Sequence, residues 1–213
     1  MSFLPDLQTL ALYAIACIVL FITPGPDMSL WLAKTVSGGR RGGTAAMLGT
    51  QVGCLFHTVF AAVGLSAVLA ASATAFTVLK IVGAVYLGWL AVDAIRSGSA
   101  LNVRAEASRP TPFWPTFLTG LGINITNPKV VLFFLTFLPQ FVAADDPHAS
   151  AKLLFLGLFF IAINIPASFL LILGAERVID WLKARPGILR MIDYSFAGIF
   201  GFFAFKILTT QTR

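Results

Sequence analysis

Asp27 and Lys129 are opposite charges set in otherwise uncharged apolar runs. Each directly follows a proline, in Pro24-Gly25-Pro26-Asp27 in the first half of the chain and in Asn127-Pro128-Lys129 in the second. Proline removes a backbone donor and breaks a helix, yet it is favoured at the first position of a new one. Both stretches therefore read as a helix that stops and restarts, with Asn127 as a candidate cap and an ionisable residue in the new first turn. Unsatisfied N–H groups at a restart attract an anion such as a carboxylate, and unwound carbonyls beside them accept from an ammonium. A zwitterion uses both. One proline kink is ordinary in an apolar helix, but two at corresponding places in the two halves point to a carrier's binding site. The candidate binding residues are Pro24, Gly25, Pro26, Asp27, Asn124, Asn127, Pro128 and Lys129, with Gln51 on a neighbouring apolar run.

No charged residue lies between Arg109 and Lys129, or between Lys129 and Asp145. A lysine so placed must pair, change protonation or bind something. An ion pair with Asp27 and a direct contact with a ligand are both open. Asp27 itself reads either as the acidic first-turn residue of a half-helix or as a carrier of a coupling proton. His57 is a structural group or a proton relay, its ordinary pKa being near neutral. Asp27, Lys129 and His57 are thus the coupling candidates. Asn164 and Pro166 mark either a further local opening or a polar contact between helices. Cys17 and Cys54 form no CxxC pair, so neither a metal site nor dithiol chemistry is expected. A serine nucleophile would need a base, and His57 is the one candidate in an apolar run. No catalytic residue, cofactor or metal is therefore expected, and the chain does not read as an enzyme.

The elements that must position these residues are membrane helices. Hydrophobic residues make up 58% of the 213 residues and charged residues 11%, against roughly 25% charged in a soluble domain. The pattern predicts an all-α integral membrane protein with about six spans, at about residues 8–36, 43–70, 74–95, 113–141, 152–174 and 188–208. The first segment carries no basic residue ahead of its apolar stretch and reads as a retained span. The first connection holds Lys34, Arg40 and Arg41, the third Arg96, Arg104 and Arg109, and the fifth Arg177, Lys183, Arg185 and Arg190. These three account for most of the 15 basic residues, while the fourth connection contains Asp145 and Asp146. Basic loops stay in the cytoplasm, so both termini are expected outside. The net charge of +6 then reflects topology, and no nucleic-acid partner is expected.

Three spans per half is an odd number, so the second half enters the membrane the opposite way to the first. The expected organisation is one transporter domain over 1–213 with helices one and four broken. An inverted repeat at about 1–96 is followed by a cytoplasmic link at about 97–111 and a second repeat at about 112–213. Small residues four apart occur at Gly49 and Gly53, at Ala84 and Gly88, and at Ala197 and Gly201. They predict close helix contacts within the chain or across a homodimer.

These motifs carry a family resemblance. Thr23-Pro24-Gly25-Pro26-Asp27, Gly38-Gly39-Arg40-Arg41-Gly42, Gly49-Thr50-Gln51-Val52-Gly53 with His57, and Gly83-Ala84-Val85-Tyr86-Leu87-Gly88 belong to it. The second half adds Phe117-Leu118-Thr119-Gly120, Asn127-Pro128-Lys129 and Phe137-Leu138-Pro139-Gln140-Phe141. Over nearly its whole length the chain resembles the lysine exporter and homoserine/threonine efflux family of bacterial amino-acid exporters. The resemblance implies a multi-pass protein of the bacterial plasma membrane that exports amino acids or their derivatives, in exchange for protons. At the position of Asp27 the family shows Asn or Asp, which favours a positioning role over a proton-carrying one. No extra acids line the spans to hold a cationic side chain, so neutral substrates such as leucine, threonine or homoserine are expected. Membrane lipid and protons complete the expected partners. The alternatives are a cation or heavy-metal exporter, for which the spans offer few ligands, and a membrane thiol redox carrier built on Cys17 and Cys54.

Overall fold

The structure, a computed structural model, describes residues 4–65, 67, 72–97, 112–143 and 146–209. Among these residues the chain is helical, with no strand. Helix α1 runs Leu7–Ile22. Its cap is Asp6, which accepts from the Thr9 N–H at 2.9 Å and so satisfies one of the free donors of the first turn. Helix α2 runs Pro26–Phe60 and continues as a π-helical turn over Ala61–Leu65. Helix α3 runs Ala73–Ser97 and α4 runs Phe113–Thr126. Helix α5 runs Pro128–Leu132 and continues through a π-helical turn, Phe133–Phe137, into a 3₁₀ turn, Leu138–Phe141. Helices α6 (Ala149–Leu173), α7 (Ala175–Lys183) and α8 (Pro186–Thr209) complete the chain.

Pro26–Gly64, Ala149–Leu173 and Pro186–Phe205 are each long and apolar enough to cross a bilayer. The pair Phe113–Thr126 and Pro128–Phe141, bent by 52°, forms another such element when taken as one span. Leu7–Ile22 is apolar but shorter. The outward faces of these helices carry large apolar side chains, among them Val63, Trp114, Leu170 and Phe205. Such a surface suits a hydrocarbon solvent rather than water.

The two predicted interruptions are present. Between α1 and α2, Thr23 and Gly25 are extended, and Pro26 opens α2. Between α4 and α5, Asn127 is extended and Pro128 opens α5. A third break lies inside α2 at Gly39, whose φ of 68° and ψ of −176° interrupt the helix. Only glycine takes that conformation without strain, and this kink falls in the predicted first connection. The fifth connection holds more structure than its basic residues imply. Ala175, Ile179 and Leu182 on α7 are buried while Glu176, Arg177, Asp180 and Trp181 face outward, so the segment is a short amphipathic helix. Pro166 does not open α6, which runs unbroken through it. The predicted link over 97–111 falls, after its first residue, outside the described residues, as does Asp145.

Helix α2 packs along α4 and α6, and α3 packs along α8. Glycine makes the first contact possible. A Cβ on Gly49 would lie 2.0 Å from the Phe117 carbonyl oxygen, and one on Gly120 would lie 2.2 Å from that of Ala46. The backbones of α2 and α4 therefore touch directly, as small residues permit where lipid supplies no hydrophobic drive. The larger apolar core gathers Tyr13, Phe133, Phe134, Phe137, Phe160 and Phe200, and the buried Tyr13 hydroxyl donates to the Leu156 carbonyl at 3.1 Å. A second core joins Met28, Trp31, Leu32 and Met47 to Ile172 and Ile179. In the turn before α6, the Lys152 ammonium and then the His148 N–H hold the Asp146 carboxyl below the usual carboxylate range.

Candidate functional site

The two interruptions meet. Asp27, in the first turn of α2, receives two amides from the other half of the chain. Asn124 Nδ2 donates to it at 2.6 Å and Asn127 Nδ2 at 2.9 Å. An acid in a helix's first turn is favoured by the helix field, and two further donors hold the carboxylate in one orientation. Asn127 also works locally: its Oδ1 accepts from the Lys129 N–H at 3.1 Å and caps α5.

Lys129 sits in the first turn of α5, where the helix field disfavours a cation. Its ammonium does not stay there. Nζ donates to the Thr23 carbonyl at 2.6 Å. Thr23 is the C-cap of α1, and the last carbonyls of a helix lack partners within it. The ammonium thus satisfies an orphaned acceptor at the end of α1 that attracts positive charge. The ammonium passes beside Gly25, where a Cβ would stand 3.6 Å from Nζ, an ordinary van der Waals contact. The ion pair considered between Asp27 and Lys129 is replaced by separate partners for the two charges: side-chain amides for one, a backbone carbonyl for the other.

Asp27, Lys129, Gly25, Asn127 and Gln51 line one cavity of about 40 Å³, room for roughly three water molecules. Thr23 and Asn164 add polar groups, and Leu20, Phe21, Met28, Trp31, Val130 and Phe160 form apolar walls. Trp31 is fixed by a hydrogen bond from Nε1 to Thr50 Oγ1 at 3.1 Å. The cavity therefore offers an anionic group, a cationic group and an apolar surface together. A second cavity of about 110 Å³ lies beyond Lys129, lined by Pro24, Asp93, Asp193 and Phe196. Thr23 and Lys129 line both, so their hydrogen bond stands in the partition between the two spaces.

Of the other candidates, Asn124 is fully buried and reaches Asp27 without lining the cavity. It fits because of Gly53, where a Cβ would lie 2.3 Å from Asn124 Oδ1. His57 stands one step further out, with Nε2 3.4 Å from the Asn124 carbonyl and its ring stacked on Phe134. Pro24 lines the second cavity and not the first; Pro26 and Pro128 shape the helix starts. Sequence reasoning missed Thr23 as the acceptor for Lys129, and a backbone carbonyl has no residue type to betray it. It also missed Asn164 as a lining residue, whose Nδ2 is held by the Phe160 carbonyl at 3.1 Å. Cys17 and Cys54 are buried free thiols, and Asn124 Nδ2 approaches Cys54 Sγ at 3.5 Å. Among the described residues no group of three His, Cys, Asp or Glu side chains stands together as metal ligands would.

The family model described as LysE type translocator matches residues 18–211 of the chain. The homoserine/homoserine lactone efflux protein of Salmonella typhimurium is 28% identical over 188 residues, covering 88% of this chain and 90% of that protein. The leucine efflux protein of Salmonella choleraesuis is 24% identical over 200 residues, 94% of each. An uncharacterized membrane protein of Vibrio cholerae is 28% identical over 195 residues, 92% of this chain and 94% of that one. No protein of solved structure matches.

Proposed function

The chain belongs to the LysE type translocator family, and from that premise we propose that it is a secondary transporter exporting neutral amino acids by proton antiport. One observation carries the reading. Two helix restarts, one from each half, bring a carboxylate and an ammonium to the wall of a single cavity. The Asp27 carboxylate is matched to a substrate ammonium, and the Lys129 ammonium to a substrate carboxylate. The Thr23 carbonyl, freed when Lys129 turns to the substrate, is a further acceptor. The apolar walls suit an uncharged side chain, as do the homoserine and leucine named for relatives that this chain resembles over most of its length.

The proposal extends to the whole molecule. One transporter domain, 1–213, crosses the bacterial inner membrane six times as two inverted three-helix repeats, with both termini outside. The first span is α1 with the start of α2, broken at 23–25; the fourth is α4 with α5, broken at Asn127. Asp27 carries the coupling proton or positions the substrate, with His57 at the edge of the same network. A homodimer belongs to the same proposal, but through other surfaces, since Gly49, Gly53, Gly88 and Gly201 meet helices of the same chain.

The test is counterflow of labelled amino acids into proteoliposomes, with and without a pH gradient. Exchange of neutral amino acids, changed by the gradient, is the expected result. Purified, monodisperse protein that exchanges no amino acid would overturn the reading.

A further inference from the structure

Gln51 lines the same cavity as Asp27 and Lys129. The residue is only 6% exposed, and its Oε1 has no hydrogen-bond partner. Among the described residues, two other buried side-chain atoms share that state, Asn124 Oδ1 and Ser168 Oγ, but neither residue lines the cavity. A buried amide oxygen without a donor is costly, and the cost is removed by a ligand that brings one. Other polar groups lining the cavity each have at least one partner within the chain. Asp27 is held by two amides, Lys129 by a carbonyl, and the Asn164 amide nitrogen by Phe160. The neighbouring wall, including Trp31 and Phe160, is apolar.

We infer that Gln51 reads the substrate's side chain, and that the site selects amino acids carrying a side-chain hydroxyl over aliphatic ones of the same shape. This rests on the amino-acid reading above. There, Asp27 and Lys129 take the two charged ends of the substrate, which leaves Gln51 for the third substituent. The methylene groups of such a side chain lie against the apolar wall, and its hydroxyl meets the amide. A hydroxyl both donates and accepts, so it pairs with Gln51 whichever way the amide is turned. A methyl in its place would leave the amide buried and unpaired, which is how polar sites reject isosteres lacking the polar group.

The experiment compares homoserine with norvaline, and threonine with valine, as competitors in proteoliposome counterflow. Each pair differs by a hydroxyl in place of a methyl. The wild-type protein is expected to favour the hydroxyl member by about tenfold or more. Gln51→Leu is expected to bring that ratio to near one, and Gln51→Asn to restore part of it. Thermal unfolding of the wild-type protein in detergent gives a measure that needs no variant: homoserine raises the midpoint, norvaline does not. A wild type that takes norvaline as well as homoserine overturns the inference, as does a Gln51→Leu ratio equal to that of the wild type. A wild type that exchanges no amino acid overturns the transport reading and this inference with it.

Discussion

Lys129 and Asp27 reach one cavity from opposite halves of the chain, each on the first turn of a restarted helix. Charge-assisted hydrogen bonds of this kind are worth about 1.5–3 kcal/mol each. Lys129→Ala and Asp27→Ala are therefore each expected to cut counterflow by about 100-fold, in protein that still inserts and elutes as a single species. Normal transport by both variants would refute the broken-helix site. Asp27→Asn separates the two roles given to this carboxylate: a coupling role predicts exchange that no longer responds to a pH gradient, a positioning role exchange that still does. Asp27 and Lys129 were legible in the sequence because a charge in an apolar run has few ways to be accommodated. Their partners were not. Asn124 and Asn127 were visible as polar residues, but their convergence on Asp27 depends on how α4 lies against α2. The acceptor for Lys129 is a main-chain oxygen, which any residue type supplies.

At the scale of the helix, the contact between α2 and α4 decides whether the site exists, because it carries Asn124 to Asp27. Gly120→Ala would drive a Cβ to within 2.2 Å of the Ala46 carbonyl oxygen and is expected to cost about 1–3 kcal/mol as the helices part. Gly122→Ala meets nothing within 4 Å and is expected to be neutral or to stabilise by up to about 1 kcal/mol through helix propensity. Thermal unfolding of the two variants in one detergent compares them; equal midpoints would refute direct backbone contact as the basis of packing here. The spacing of Gly49 and Gly53 announced a close contact, though not with which helix, since a stripe of small residues has no address. Both now face α4 of the same chain. Helix α7 escaped notice for another reason. Its nine residues are crowded with charges, and its three buried positions, Ala175, Ile179 and Leu182, form an apolar stripe too short to stand out. The breaks at 23–25 and 127 were legible because proline's fixed φ and missing N–H suit the first position of a helix, although proline alone does not decide the matter, since α6 runs unbroken through Pro166.

At the scale of the molecule, the apolar exterior was the most legible property, since it follows from composition. The interdependence of the halves was not, and it lies in a single carboxylate. The amides that hold Asp27 come from residues 97 and 100 positions further along the chain. A fragment ending within 98–111 is therefore expected to be cleared rapidly by membrane proteases when made alone, and to persist when the remainder is co-expressed. Pulse-chase labelling would measure both, and a first half as long-lived alone as with its complement would refute the dependence. The same separation sets an order of events at the ribosome. When α1 and α2 enter the bilayer, the acid has no partners and the asparagines that will hold it are not yet synthesised. Until translation passes Asn127, the nascent chain must keep a solitary carboxyl group near water or near the insertion machinery, so the protein matures only when its second half arrives.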